Sequence, residues 1–479
     1  QLEDHYFGAI PSRVNSFMKD FETEAYKLGI LLMTRHNEVA PNQFECAPVF
    51  CDSIKAIDQN MMLMIVMQKV AERHHLKVIL HEKPFDGVNG SGKHCNWSIV
   101  TDTGVNLLSP GKTPTKNRQF LSFYASVLRA VHKHNYLLMS TVATLGNSYR
   151  LGGDEAPPAV MSVFSGSTLY DVFKSIMEMD EVTESESSNL ESIKIVNSIP
   201  EIFPDNTDRN RTSTFAFTGN RFEFRAVGAS QNVSTSVYTL NTAVAESLRE
   251  FRAEVDALEA AGEERAAAVM NVVRKFITQA RDIMFEGNGY SKEWELESQR
   301  RGLRPIRNVA QAYEVYHEPQ TIELFDKMGV LAPNEVEARF EILNETYVKK
   351  LQIEARVIGD MCLNHVIPAA VKYQNVLIEN IKGLKDIFGD EAYMNYCSSE
   401  IDTLKQISTY VNRISSDVQA LVEARKKANR IEAIAERAKA YSQEVKDMMD
   451  KVRLSADNLE MLIDDEMWPL PKYRELLFF

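Results

Sequence analysis

KPFDGVNGSGKHCNWS, residues 83–98, comes within one residue of a phosphate-binding P-loop. Gly87, Gly92 and Lys93 fit the frame, but His94 stands where Ser or Thr would hold magnesium. A P-loop lysine also runs straight into a helix whose N-terminus faces the phosphates. Here the sequence continues HCNWSIVT, alternating polar and apolar residues at the period of a strand. His94, Asn96 and Ser98 share one face, and Cys95, Trp97 and Ile99 the other. The glycine-rich loop therefore opens a strand, and a nucleotide site here must be of a different kind.

Two further stretches carry the same sort of chemistry. In NRFEFRAVG (220–228), Phe222 and Phe224 point one way and Arg221, Glu223 and Arg225 the other. Such a charged face is either a solvated sheet surface or one wall of a polar cavity. In HNEVAPNQFE (36–45), Pro41 forbids a helix between Glu38 and Glu45, so a turn joining two extended pieces is expected. Two carboxylates flanking a turn are usually just solvated, but held close they repel, and a divalent cation relieves that repulsion. With His94 and Glu223 they make a cage of oxygens plus one imidazole, a set that suits Mg2+ or Mn2+ better than zinc or copper.

The bulk properties exclude several classes. The chain has 479 residues, 44% apolar and 25% charged, ordinary for a globular protein with a large core. A net charge of −13 speaks against a nucleic-acid binder. The longest apolar run beside a helix, MMLMIVM (61–67), is far short of a membrane span, so no membrane partner is expected. Five scattered cysteines without metal-knuckle spacing read as reduced thiols, which places the protein in the cytoplasm. The chain starts at Gln1 with neither an initiator Met nor a signal-peptide pattern, and an upstream segment is expected to be missing.

Residues 1–250 mix strand-like runs, turns and a few helices. Residues 54–76 predict a helix apolar around most of its circumference, hence buried, and KVILHEK (77–83) predicts a strand. Residues 117–139 predict a helix with Leu121, Tyr124, Val127, Leu128 and Val131 on one stripe. EVTESESSNLES (181–192) reads as an exposed insertion. Beyond about residue 240 helix formers dominate, with long helices expected over 335–383, kinked at Pro368, and over 399–464. Ile431, Ile434, Ala438, Val445, Met448, Met449 and Val452 give a helical seam, read as an intramolecular layer in preference to a coiled coil. His74, His75, His132 and His134 read as packing or surface residues.

HNEVAPNQFE, KPFDGVNGSGKH, NSYRLGGDEAP (147–157), NRTS (210–213) and RFEFR (221–225) resemble, in order and approximate spacing, the motifs of glutamine synthetase. The helical elaboration after residue 240 is similar to the family's large type III form. The resemblance implies an α+β fold: an antiparallel sheet forming a half-barrel active-site cavity flanked by helices, with a long helical C-terminal region. Residues 1–245 would be the catalytic domain without its N-terminal portion, 246–330 its helical continuation, and 331–479 the region specific to the large form.

The activity implied is ligation of ammonia to glutamate with ATP, through a γ-glutamyl phosphate. By resemblance, Glu38 and Glu45 hold one divalent ion, and His94 and Glu223 the second. Asn89 and Gly90 contact the substrate glutamate, Arg150 and Arg225 hold substrate carboxylate or phosphate, and Arg211 stabilises the phosphoryl group. Ser98, Arg221 and Asn96 line the nucleotide side. Glu155, in a flap, takes a proton from ammonium. Glutamate, ammonium, ATP and Mg2+ or Mn2+ (two or more ions per site) are the expected ligands, in a homo-oligomeric ring, most simply a dodecamer.

The departures concern details. The family's E-x-E strand has no counterpart here, which fits the expected upstream segment. Ala216 stands where many relatives carry an arginine, and Asn96 where they carry histidine. A ligase for bulkier amines and a non-catalytic assembly scaffold are the alternatives. Glu155 favours ammonium, and the cation- and phosphate-binding side chains, costly to bury without ligands, oppose the scaffold.

Overall fold

The computed structural model describes residues 4–153, 156–178, 213–289 and 291–477. The chain divides into two compact units, residues 1–337 and 338–479.

In the first unit, α1 (Ser12–Lys27) packs Val14, Phe17, Met18 and Phe21 against Leu63, Val70 and Ala71 of α2 (Ser53–Arg73). The α2 helix forms where expected but is not buried all round. Ile54, Met62 and Ile65 are exposed, because α1 covers only one side. Between these helices lies an antiparallel hairpin, β1 (Leu32–Asn37) and β2 (Phe44–Pro48), with His36 opposite Glu45. Its turn closes by Glu38 N–H to the Gln43 carbonyl at 2.9 Å, and Asn42 takes a φ of 55°. Asn tolerates that left-handed backbone because its short polar side chain bonds locally.

The second sheet has the order β3-β6-β5-β4, formed by β3 (Gly92–Trp97), β4 (Val163–Phe164), β5 (Phe215–Phe217) and β6 (Phe222–Gly228). Both neighbours of β6 pair antiparallel, whereas β4 joins β5 in parallel. The strand expected over KVILHEK does not form. Residues 76–82 alternate in exposure as an extended chain does, yet among the described residues none pairs with them in a ladder. β-Branched content favours a strand only where a partner supplies hydrogen bonds and packing.

The core sits between this sheet and α3 (Arg118–Lys133), which is capped by Asn117 accepting from Phe120 N–H at 3.0 Å. Leu121, Tyr124, Val127, Leu128 and Val131 are all fully buried, as their stripe predicts. Tyr124 packs its ring on Phe173, Phe217 and Phe222, and Phe215 stacks on Phe222 at 4.7 Å. The helix expected to run to residue 139 instead ends at Lys133, and a short α4 (Asn135–Ser140) follows the break at His134. The short α5 (Leu145–Arg150) and α6 (Ser167–Glu178) come next, then α7 (Ser234–Ala260) and α8 (Arg265–Gln279), which pack on α3. The expected insertion at 181–192 lies outside the described residues.

The second unit begins within α9 (Pro333–Met361). One wide π turn, Cys362–Val366, separates α9 from α10 (Ile367–Ala392). The distortion expected at Pro368 thus falls on the turn before it, because proline has no N–H to return to residue 364. Next come α11 (Met394–Asn429) and α12 (Lys446–Leu462), and α11 packs against both α10 and α12. The single helix expected over 399–464 is broken at 430–433, where the chain reverses and Tyr441 donates to Asn429 Oδ1 at 2.8 Å. Ala438, Val445, Met449 and Val452 are buried on this fold-back, so the seam is an intramolecular layer.

The residues at the break meet two carboxylates of α7. Glu246 of α7 accepts from Lys133 Nζ and His134 Nε2, each at 2.8 Å, and Glu250 accepts from Lys133 at 2.7 Å. Burial raises the Glu246 carboxyl, but the hydrogen bonds from His134 and Lys133 outweigh it and hold it at about 2. A carboxyl held below its ordinary value of about 4.3 stabilises the fold above that pH and loses its contribution as pH falls toward the folded value. We therefore expect Glu246→Gln to cost roughly 3 kcal/mol near neutral pH. It should also flatten the loss of stability between about pH 5 and pH 2. Calorimetric melting at several pH values checks both, and an unchanged slope in the variant would contradict the assignment.

Candidate active site

The hairpin carries the first group. Cross-strand pairing sets His36 opposite Glu45, and Glu38, two residues beyond His36, returns to the same face. Their ligating atoms all lie within 4.8 Å of one another. His36 Nε2 is 3.1 Å from Glu38 Oε1, and the ring is flanked by Tyr6 and Phe7. Oxygen and nitrogen ligands about 2.0–2.4 Å from a divalent cation stand roughly 3–5 Å apart, so two carboxylates and an imidazole at this spacing fit one. His36 escaped the sequence reading, although its His-x-Glu spacing at strand period was the available signal.

The second group lies on the β3/β6 pair. Asn96 is opposite Glu223, and His94 and Asn96 share the exposed face of β3. The ladder shifts between Lys93 and Cys95, which face Val227 and Phe224, so both Arg225 and Ala226 stand against His94. Such a bulge re-aims side chains near a site. Glu223 and Arg225 are 6% and 2% exposed, which rules out a solvated sheet surface for them. Ala216 lies opposite Glu223 on the other side of β6. Arg221 Nε donates to Asn96 Oδ1 at 2.9 Å, while Ser98 Oγ donates to Asn106 Oδ1 at 2.8 Å and approaches the Asn220 carbonyl. The three residues read from sequence as nucleotide-facing therefore sit at one end of the β3/β6 pair.

The loop 83–92 joins the two groups. Gln43, in the hairpin turn, donates to the carbonyl of Asn89, which is buried. The sequence reading placed Glu38, Glu45, His94 and Glu223 around one cavity. In the fold Glu38 and Glu45 lie together on the hairpin, His94 and Glu223 belong to the paired strands β3 and β6, and Gln43 of the hairpin turn bonds to the loop that leads into β3. Glu155 and Arg211 lie outside the described residues.

Beneath the loop runs a buried polar network that the sequence did not disclose. Arg150, 5% exposed, donates to Asn147 Oδ1 and the Val227 carbonyl at 3.3 Å and to the Arg225 carbonyl at 3.2 Å. Asn147 in turn donates to the carbonyls of Ala226 at 2.7 Å and Val142 at 2.8 Å. Gln231 accepts from Gly228 N–H at 2.6 Å, and its carbonyl accepts from Lys93 Nζ. Lys93 also reaches Asn60 and Met64 of α2. Burial pulls the Lys93 amine down to about 8, against the attraction of Glu82, which raises it.

Gly92 leaves room for Arg150, since a Cβ there would overlap the guanidinium. Gly92→Ala should therefore cost about 1–3 kcal/mol by displacing Arg150, read from the midpoint of chemical denaturation. A midpoint equal to that of wild type would show that Arg150 yields freely. For the hairpin group, Glu45→Ala and His36→Ala should each weaken Mn2+ binding by at least about tenfold in calorimetric titration of the full-length protein. Changes below about twofold in both would remove the cation assignment.

Comparison with known proteins agrees with the motifs. Residues 2–165 match the family described as "Glutamine synthetase, catalytic domain", and residues 268–385 match "Glutamine synthetase C-terminal domain". The chain is 47% identical to a glutamine synthetase of Bacteroides fragilis (strain YCH46), over 100% of this chain and 66% of that protein. It is 39% identical to the type-3 glutamine synthetase of Dictyostelium discoideum, over 100% of this chain and 65% of that one. It is 37% identical to a glutamine synthetase of Butyrivibrio fibrisolvens, over 100% of this chain and 67% of that one. The chain thus spans about two thirds of the length of these relatives. Identity sustained along the whole chain, with three of the ordered motifs placed on one hairpin, one loop and one strand pair, establishes that the chain belongs to the glutamine synthetase family.

Proposed function

We propose that the protein of which this chain is part joins ammonia to L-glutamate in an ATP-dependent reaction, giving L-glutamine through γ-glutamyl phosphate. The observation that carries the reading is the convergence of Glu38, Glu45 and His36 within 4.8 Å in a chain of this family, with their turn bonded to the loop of Asn89 and Gly90. Phosphoryl transfer to a carboxylate is chiefly positioning and charge neutralisation, so cation ligands and guanidinium groups around one loop are the parts it needs.

Mg2+ or Mn2+, two or more ions per site, would be held by Glu38 and Glu45 in one group and by His94 and Glu223 in the other. Bound there, the ions would neutralise phosphate and carboxylate charge. Asn89 and Gly90 seat the substrate glutamate in this reading, and Arg225 and Arg150 draw its carboxylate or the transferred phosphate. Ser98, Asn96 and Arg221 hold the nucleotide, a role supported by their clustering at one end of β3/β6. Arg211 stabilises the phosphoryl group, and Glu155 closes over the intermediate and accepts the ammonium proton. Those last two roles rest on the motif match alone.

A homo-oligomeric ring, most simply a dodecamer, is the assembly proposed, from family membership. A cytoplasmic location is proposed from the five free thiols, with the Cys46 and Cys95 thiols pushed up to about 11 by burial. Among the described residues no helix is long and apolar enough to cross a membrane.

The full-length protein with Mg2+ or Mn2+, ATP, glutamate and ammonium should release phosphate and glutamine in equal amounts. With hydroxylamine in place of ammonium it should form γ-glutamyl hydroxamate. Phosphate release that needs no glutamate, or product only with bulky amines, would sink the reading.

A further inference from the structure

Glu82 is 1% exposed and lies in the stretch that the sequence misassigned to a strand. Its carboxylate accepts from Ser230 N–H at 3.0 Å and from Ser230 Oγ at 2.7 Å. Its backbone carbonyl accepts from Ser91 N–H at 2.8 Å. Three glycines make room for it. A Cβ at Gly146 or Gly228 would overlap the carboxylate, and a Cβ at Gly90 would press on the Glu82 carbonyl and on Arg150.

One residue therefore meets three segments: its carbonyl meets the loop before β3, and its carboxylate meets the first turn of α5 that ends in Arg150 and the turn leaving β6. A buried carboxylate is costly unless fully hydrogen-bonded, and an apolar residue would fill the same space more cheaply. What the carboxylate adds is direction. It ties the 228–231 turn and the start of α5 to Glu82, and so holds in place the Glu82 carbonyl on which Ser91 and Gly90 rest beside Arg150.

We infer that Glu82 is a positioning residue for the glutamate-binding loop, acting through Gly90, Ser91 and Arg150 without touching the reactants. The inference rests on the ligase reading for its kinetic consequence, but its structural consequence stands apart from that reading. Loosening the loop weakens glutamate binding. The nucleotide contacts of Ser98 and Arg221 lie at the other end of β3/β6 and stay as they are.

The test uses the full-length protein with Glu82→Ala, Glu82→Gln and Ser230→Ala. Glu82→Ala should raise the glutamate KM by about tenfold and leave the ATP KM within about twofold, since small misplacements of a binding group are costly. Glu82→Gln keeps volume and one acceptor oxygen and should stay close to wild type. Ser230→Ala should shift the glutamate KM in the same direction by about threefold, and it decides the question if Glu82→Ala fails to fold. Hydrogen exchange supplies a readout independent of activity: the amides of residues 84–92 and 228–231 should exchange faster in the alanine variants, with α11 unchanged. Unaltered exchange there, or a fall in melting temperature with both KM values preserved, overturns the inference. If wild type forms no glutamine, the ligase reading fails, and exchange alone then decides for or against Glu82.

Discussion

The antiparallel pairing of β3 with β6 is the constraint on which the site depends. Pairing sets Asn96 against Glu223 and brings Arg221 to Asn96, so residues more than 120 positions apart share one surface. The bulge opposite His94 departs from a regular ladder at the point where the two strands carry their chemistry. On the far face, Phe222 and Phe224 enter the aromatic cluster around Tyr124 and Phe215. Large aromatic burial of this kind, about 2–3 kcal/mol per ring, anchors a strand whose other face is charged.

A buried guanidinium supports that strand from beneath. Arg150 has more donors than a small cavity can ordinarily satisfy, and it meets the need with backbone carbonyls of β6 and the side chain of Asn147. These carbonyls belong to residues 225–227, beyond the three residues of β6 that pair with β5. The glycines at 90, 92, 146 and 228 are the complement of this arrangement, each leaving space for Arg150 or Glu82. Charged groups and missing side chains thus form one packed unit under the loop 83–92.

The hairpin shows how far local pattern reaches. Pro41 between Glu38 and Glu45 excluded a helix and required a turn, and once the turn is granted, strand period brings the two carboxylates together. His36 belongs to the same face by the same rule. The α3 stripe and the strand at His94 were legible for the same reason, since each buries one face against a single layer. Burial around α2 was not legible: its apolar composition says that it can be covered, not by what. KVILHEK likewise has the composition of a strand but pairs with no strand among the described residues.

The sequence by itself determined the family, the candidate ligands other than His36, the turn at Pro41 and the helical character after residue 240, because each is written in local spacing. The tertiary structure decided that His36 joins Glu38 and Glu45, that the hairpin turn bonds to the loop through Gln43 and Asn89, that His134 meets Glu246, and that Glu82 lies against that loop. Those facts depend on contacts between segments distant along the chain. Such contacts are selected by packing space and by the need to satisfy buried polar groups, neither of which is a property of any one stretch.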